Sequence, residues 1–297
     1  MNGKRILLTG GAGYIGSHTY VALRDAGYDV TILDNFANAK ESVIDRLAQI
    51  TQAPVACVRG DVRSSVDLTK VFEEGQFDAV VHFAALKAVG ESVEKPLEYF
   101  DTNVGGLVTL LQEMRRHGVF RLVFSSSATV YGDPETLPQK ATDPVTYTNP
   151  YAFATLTSEQ LLPQLLPTDD PWAIGILRYF NPVGAHATAM IGEDPEGIPN
   201  NLMPYIAKVA TGELPALQVF GDDYNTHDGT GVRDYIHVSD LARGHVLSLN
   251  ALIETDQPHK VNLGTGTGYS VLDMVKAYRT DSGQEIPFTI LTRRPGD

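Results

Sequence analysis

Three glycines, Gly10, Gly13 and Gly16, are spaced so that the main chain can approach a phosphate closely. They follow the apolar run Ile6-Leu7-Leu8 and open a helical pattern from Tyr14 to Ala26, with Gly27 as its C-cap. In such a strand-turn-helix the first glycine permits the tight turn. The second admits a pyrophosphate, and the third lets helix and strand pack closely. The phosphate then rests on unpaired N–H groups at the positive end of the helix. Asp34 closes the next apolar run, Asp29-Val30-Thr31-Ile32-Leu33, at about the distance where a ribose-binding acid belongs. A carboxylate there accepts from the ribose hydroxyls and repels a 2′-phosphate. No arginine follows it closely; the next residues are Asn35-Phe36-Ala37-Asn38. The chemistry implied is dinucleotide binding, with NAD favoured over NADP.

The elements that must hold these groups alternate in type. Val55 to Val58, Ala79-Val80-Val81-His82-Phe83, Leu122-Val123-Phe124 and Ala173 to Leu177 read as further short strands. A long helical stretch covers about Leu97 to His117 and stops at Gly118; another helix begins near Tyr151. Short buried strands alternating with helices predict an α/β fold with a doubly wound, Rossmann-type parallel sheet covered on both faces. After Asn181 the texture becomes rich in Gly, Pro, Asn and Asp. The expected division is a dinucleotide-binding domain over 1–181, with 235–250 rejoining it as one more strand and helix. A smaller substrate-binding region follows over 182–297, and the chain end there reads as truncated. No fixed-period repeat or low-complexity tract is visible.

Composition narrows the class. The 297 residues are 43% hydrophobic and carry a formal charge of −13. That allows a large core and argues against nucleic acid or an anionic membrane as the main partner. The single cysteine, Cys57, sits in an apolar run and cannot form an internal disulfide, which fits a reducing compartment. The N-terminus reads as neither signal peptide nor membrane span, so the expected location is cytoplasmic. The eight histidines show no His-x-x-x-His spacing, and no metal is expected.

Several longer strings run in order along the chain. They are Thr9-Gly10-Gly11-Ala12-Gly13-Tyr14-Ile15-Gly16-Ser17, Leu86-Lys87-Ala88-Val89-Gly90-Glu91-Ser92 and Ser125-Ser126-Ser127-Ala128-Thr129-Val130-Tyr131-Gly132. Then come Leu177-Arg178-Tyr179-Phe180-Asn181-Pro182-Val183-Gly184-Ala185-His186, Ile198-Pro199-Asn200-Asn201-Leu202-Met203-Pro204-Tyr205, the run from Asp228 to His237, and Arg293-Arg294-Pro295-Gly296-Asp297. Together they resemble the UDP-glucose 4-epimerases (UDP-galactose 4-epimerases) of the extended short-chain dehydrogenase/reductase family. The resemblance implies a resident NAD, a UDP-hexose substrate and, as is common among relatives, a homodimer built through the helices near 97–117 and 151–166.

The implied chemistry begins with Tyr151, which removes the sugar O4′ proton while C4′ gives a hydride to NAD. The 4-keto sugar turns over and takes the hydride back on its other face. Ser127 hydrogen-bonds O4′ and relays the proton. The resemblance assigns the cofactor to Gly10, Gly13, Tyr14, Ile15, Gly16, Asp34, Asn35 and Asn38. Asp61 and Val62 would hold adenine. Phe83, Ala84, Lys87, Asn103 and Ser125 would line the cofactor, with Tyr179 near nicotinamide. It assigns the UDP-sugar to Ser127, Tyr151, Asn181, Asn201, Leu202, Phe220, Arg233, Arg294 and Asp297. The arginines suit a diphosphate, which needs bidentate cationic donors.

The chain departs from this pattern where catalysis is expected. The family pairs tyrosine with lysine four residues on, which puts both side chains on one helical face. Here Thr155 stands in the lysine position. A free tyrosine titrates near ~10, so about one in a thousand is phenolate at pH 7. Threonine offers a hydroxyl but no charge to lower that value, so the expectation is weak activity at neutral pH that rises toward alkaline pH. Ala85 and Ala39 are lesser departures from a usual glycine and serine. Three other readings arise. A 4,6-dehydratase needs carboxylates after the active-site strand, where Ala128-Thr129-Val130 has none. A non-catalytic NAD- and UDP-sugar-binding homologue, and an epimerase of another UDP-hexose, stand as alternatives.

Overall fold

A computed structural model describes residues 3–132, 136–195 and 199–293. Strand and helix alternate through β1 (Arg5–Thr9), α1 (Tyr14–Asp25), β2 (Asp29–Asp34), α2 (Ser42–Thr51), β3 (Ala56–Arg59), α3 (Ser65–Gly75) and β4 (Ala79–His82). Next come α4 (Val89–Glu94), α5 (Pro96–Phe100), α6 (Gly106–Arg116), β5 (Arg121–Ser127), α7 (Pro150–Leu161) and β6 (Ala173–Tyr179). The remainder is β7 (Asn181–Val183), α8 (Leu202–Ala210), β8 (Leu217–Phe220), β9 (Val232–His237), α9 (Val238–Thr255), β10 (His259–Leu263), β11 (Gly268–Ser270), α10 (Val271–Ser282) and β12 (Phe288–Leu291).

Seven strands form one parallel sheet in the order β10-β6-β5-β4-β1-β2-β3. The period of two in each strand divides the core between its faces. Leu7 and Val80 pack with α3 and α6 residues such as Leu68 and Leu110, whereas Ile6, Leu8 and Val81 pack with Tyr20, Leu47 and Leu249 of α1, α2 and α9. A separate apolar cluster holds the later elements together through Ile206, Val209, Leu217, Val219, Val275 and Ile286. Among the described residues no helix is long and apolar enough to cross a membrane.

Two details differ from the sequence expectation. The segment 235–250 does not return as a unit. Its strand residues belong to β9, which joins a three-stranded sheet with β7 and β11, while α9 packs on α1, β5 and β6. The strand that does join the main sheet is β10, a short edge strand whose Lys260 and Asn262 hide its pattern. The helix over 97–117 is also not uniform. A π-helical turn, Asp101–Gly105, separates α5 from α6. Such turns are frequent at functional sites, and the buried Asn103 lies within this one.

The first turn tolerates little change. Gly10 adopts φ +70°, and a Cβ there would meet the Ala84 nitrogen at 2.7 Å. A Cβ on Gly16 would sit 2.3 Å from the Gly10 carbonyl oxygen. Gly16→Ala is therefore expected to open the turn, lowering both the melting temperature and NAD affinity. Thermal unfolding with and without NAD measures both effects.

Candidate functional site

The C-terminal edge of the parallel sheet gathers the turns that follow β1, β2, β4 and β5, where open α/β sheets bind ligands. At α1 the N-cap is Gly13, and among the described residues no side chain caps the helix. Its first-turn N–H groups are left for an anion. Asp34 is buried, and its carboxylate accepts from Ala12 N at 3.0 Å and Phe36 N at 2.9 Å. Burial pushes its pKa up, while those two bonds oppose the rise. With the cradle at Gly10 that a Cβ would fill, this donor and acceptor set fits a dinucleotide.

The loop after β4 is clamped at two points. Asn103 accepts from Leu86 N at 2.8 Å and donates to Leu86 O at 2.9 Å. The Tyr99 hydroxyl accepts from Ala88 N at 2.9 Å and donates to Ala88 O at 2.8 Å. Lys87 lies between the clamps and reaches Glu193 Oε1 at 3.2 Å, which also accepts from Asn201 Nδ2 at 2.6 Å. Tyr14 donates its hydroxyl to Gly184 O at 2.7 Å. Residues 184–193 thereby cross from the later part of the chain to the cofactor turns.

Three adjacent serines end β5, and each has a separate partner. Ser125 shares a hydrogen bond with His245 Nε2 at 3.0 Å. Since His245 Nδ1 sits 2.9 Å from Leu241 O, which only accepts, Nδ1 carries the proton and Nε2 accepts from Ser125. Burial lowers the His245 pKa to about 4, so the ring stays neutral. Ser125 also bonds the Tyr179 hydroxyl, whose pKa is pushed far up, first by burial and then by nearby Tyr151. Ser126 donates to Glu159. Ser127 accepts from Thr129 N at 3.2 Å and stands in hydrogen-bonding contact with the Tyr151 hydroxyl.

Helix α7 brings Tyr151 to this edge. Asn149 caps it, accepting from Ala152 N at 2.9 Å, and Pro150 occupies its first turn. Burial raises the Tyr151 pKa, and the opposing contributions come from the hydroxyls of Ser127 and Thr155. The Thr155 hydroxyl also turns back on its own helix, donating to Tyr151 O at 3.0 Å. Two turns beyond Tyr151, Glu159 meets Arg178 of β6 at 2.6 Å, both side chains 2% exposed. Arg178 further donates to the Tyr131 hydroxyl at 3.0 Å and to Ala141 O at 3.2 Å.

Residues 6–264 match the model of the NAD dependent epimerase/dehydratase family. The chain belongs to that family. The UDP-glucose 4-epimerase of Pasteurella multocida (strain Pm70) is 55% identical over 293 residues, covering 98% of this chain and 87% of that one. The solved UDP-glucose 4-epimerase of Stenotrophomonas maltophila, with bound NAD and formylated UDP-arabinopyranose, superposes with a TM-score of 0.96 at 51% identity, covering 99% of this chain and 88% of that one. The Bifidobacterium longum enzyme, in complex with NAD+ and UDP, gives 0.94 at 52% identity with the same coverage.

As a family member, this chain binds NAD, and its expected site residues can be placed one by one. Gly10 and Gly13 lie in the turn after β1, Tyr14, Ile15 and Gly16 open α1, Asp34 ends β2, and Phe83, Ala84 and Lys87 lie in the loop after β4. Asn35 and Asn38 are exposed beyond Asp34, and Asn35 donates to Asp61 at 3.1 Å. Asp61 is held far below the usual carboxylate range, chiefly by the Arg63 guanidinium. Val62 is 5% exposed and packs in the core. Asn181 and Arg233 lie on neighbouring strands β7 and β9, and Arg233 bonds Val232 O at 2.8 Å. Asn201 and Leu202 sit at the start of α8, and Phe220 ends β8. Arg294 and Asp297 lie outside the described residues. The sequence assigns no role to Glu159, Glu193 or His245, and marks Arg178 only as part of a longer string. His227, Asp228 and Asp273 bring three possible ligand atoms together despite the histidine spacing, but Asp228 is bonded to Ser270 and Asp273 accepts from the Ser270 N–H in the capping box of α10.

The Glu159–Arg178 pair yields a stability test. Removing one partner of a buried pair leaves an uncompensated charge, costing ~3–5 kcal/mol, whereas replacing both with apolar groups is often much milder. Arg178→Met alone is therefore expected to lower unfolding free energy by about that much, and Arg178→Met with Glu159→Leu by clearly less. Urea denaturation of both variants checks the order.

Proposed function

We infer that this chain interconverts UDP-glucose and UDP-galactose, with bound NAD. The observation that carries the reading is the contact between Tyr151 and Ser127 at the end of β5, on the same sheet edge as the glycine cradle. Bound there, NAD would supply a reversible acceptor for the hydride of sugar C4′. Tyr151 takes the O4′ proton, and Ser127, bonded to Tyr151, relays it. We assign the sugar nucleotide to Asn181, Asn201, Leu202, Phe220, Arg233, Arg294 and Asp297, in a substrate-binding part over 182–297. The cofactor belongs to a part over 1–181. We also propose a cytoplasmic homodimer joined through 97–117 and 151–166. Apolar side chains exposed on those stretches, Leu97 at 80% and Phe153 at 39%, support the pairing.

Tyr151 must act as a base with its pKa raised and with threonine in place of the usual cation. Its phenolate fraction is therefore small at pH 7 and grows as pH rises. General-base catalysis contributes roughly 10²–10⁴-fold, so the cost of a weak base falls on turnover. A second reading, a binding homologue without turnover, is favoured by the Thr155 hydroxyl being engaged with Tyr151 O at 3.0 Å.

Incubation with UDP-galactose across pH separates the two. The epimerase reading expects UDP-glucose, little at pH 7 and more toward alkaline pH, with Thr155→Lys raising turnover at pH 7 by at least about tenfold. Equal turnover of both proteins at pH 7 overturns the dependence on the missing charge. Neither product nor NADH absorbance at any pH, with NAD bound, favours the binding reading. For the dimer, Leu97→Glu combined with Phe153→Glu is expected to halve the mass measured by sedimentation equilibrium.

A further inference from the structure

The adenosine end of the cradle contains an arginine that sequence distance conceals. Strand β3 lies beside β2, and Arg59 is registered against Asp34. Its guanidinium lies 5.6 Å from the centre of the Phe36 ring. Phe36 in turn donates its N–H to Asp34 at 2.9 Å. The cation therefore stands over the residue bonded to the ribose-binding carboxylate. A planar, permanently charged group in that place is what a 2′-phosphate needs.

That arginine is already engaged. Its Nη1 is paired with Glu41, which directly precedes α2. Nearby cations are matched in the same way: Lys40 with Asp194 at 2.5 Å, and Arg63 with Asp61 at 2.8 Å and Asp101 at 2.9 Å.

We propose that Glu41 is a second determinant of the choice of NAD over NADP, because it masks the arginine that sheet register places beside Asp34. The proposal deepens the NAD assignment and rests on it. A 2′-phosphate brings roughly two negative charges and would meet two carboxylates, Asp34 and Glu41, around one guanidinium. Asp34 alone rejects the phosphate by direct repulsion. Glu41 rejects it by occupying the guanidinium that register places beside Asp34. With the Glu41 charge removed, Arg59 is free to pair with the phosphate through two parallel N–H bonds. Both side chains are about two-thirds exposed, at 66% and 67%, so substitutions there leave the core untouched.

The test titrates the cofactor-stripped full chain with NADH and with NADPH, reading nicotinamide fluorescence. Glu41→Gln is expected to tighten NADPH binding roughly three- to tenfold, the scale of an exposed charge pair or somewhat more. It should move NADH affinity by less than about twofold, since no ribose hydroxyl contact changes. Adding Arg59→Ala should abolish the gain. Adding Asp34→Asn to Glu41→Gln should bind NADPH more tightly than Asp34→Asn alone. Equal NADPH affinity in wild type and Glu41→Gln overturns the proposal, as does a gain that survives Arg59→Ala. Wild type that binds neither reduced cofactor overturns the NAD assignment itself, a distinct result.

Discussion

The buried ion pair between Glu159 and Arg178 joins more of the working structure than any other single contact described. Glu159 belongs to α7, the helix that carries Tyr151, and Arg178 belongs to β6 beside the serines that end β5. Ser126 bonds the same carboxylate, so its neighbour Ser127 is anchored through it. Lys260 of β10 approaches at 3.5 Å, and Asn262 accepts from the Tyr131 hydroxyl at 2.6 Å. Two strands, the helix and the sheet edge are thus tied to one desolvated pair. Such a pair is weak evidence of stability, because desolvation opposes the Coulombic gain. Its geometric consequence is clearer: α7 is fixed in rotation, and the Tyr151 phenol meets Ser127.

A well-built frame therefore surrounds an electrostatically poor base. Tyr151 and Tyr179 both sit where burial disfavours the phenolate, and the neutral His245 adds no charge. Thr155 supplies only dipoles, and one of its bonds returns to the helix backbone. The residues that orient the reaction and those that charge it are separable, and this chain keeps the first set more fully than the second.

The cofactor turns show a different division of labour. Asn103 and Tyr99 do not need to touch a ligand to matter. Each grips the backbone of one residue, Leu86 or Ala88, and Lys87 between them pairs with Glu193. A sequence pattern marks Asn103 as a site residue without saying whether it binds or positions; its two hydrogen bonds to the Leu86 backbone make positioning its visible role.

The glycine turn, the acid at the end of β2, the strand–helix alternation and the threonine at position 155 are all legible in the chain's linear order. These depend on neighbours one helical turn or one strand away, where periodicity and spacing carry the information. Only the tertiary structure decided that β10 completes the main sheet, that Glu159 and Arg178 are partners, and that Arg59 stands beside Asp34. Each of those relations is set by strand order and register, which bring together residues far apart in the chain. The choice of NAD shows both levels: Asp34 is readable from its place after the glycines, whereas the arginine beside it and the glutamate that neutralises it exist as neighbours only once β3 has paired with β2.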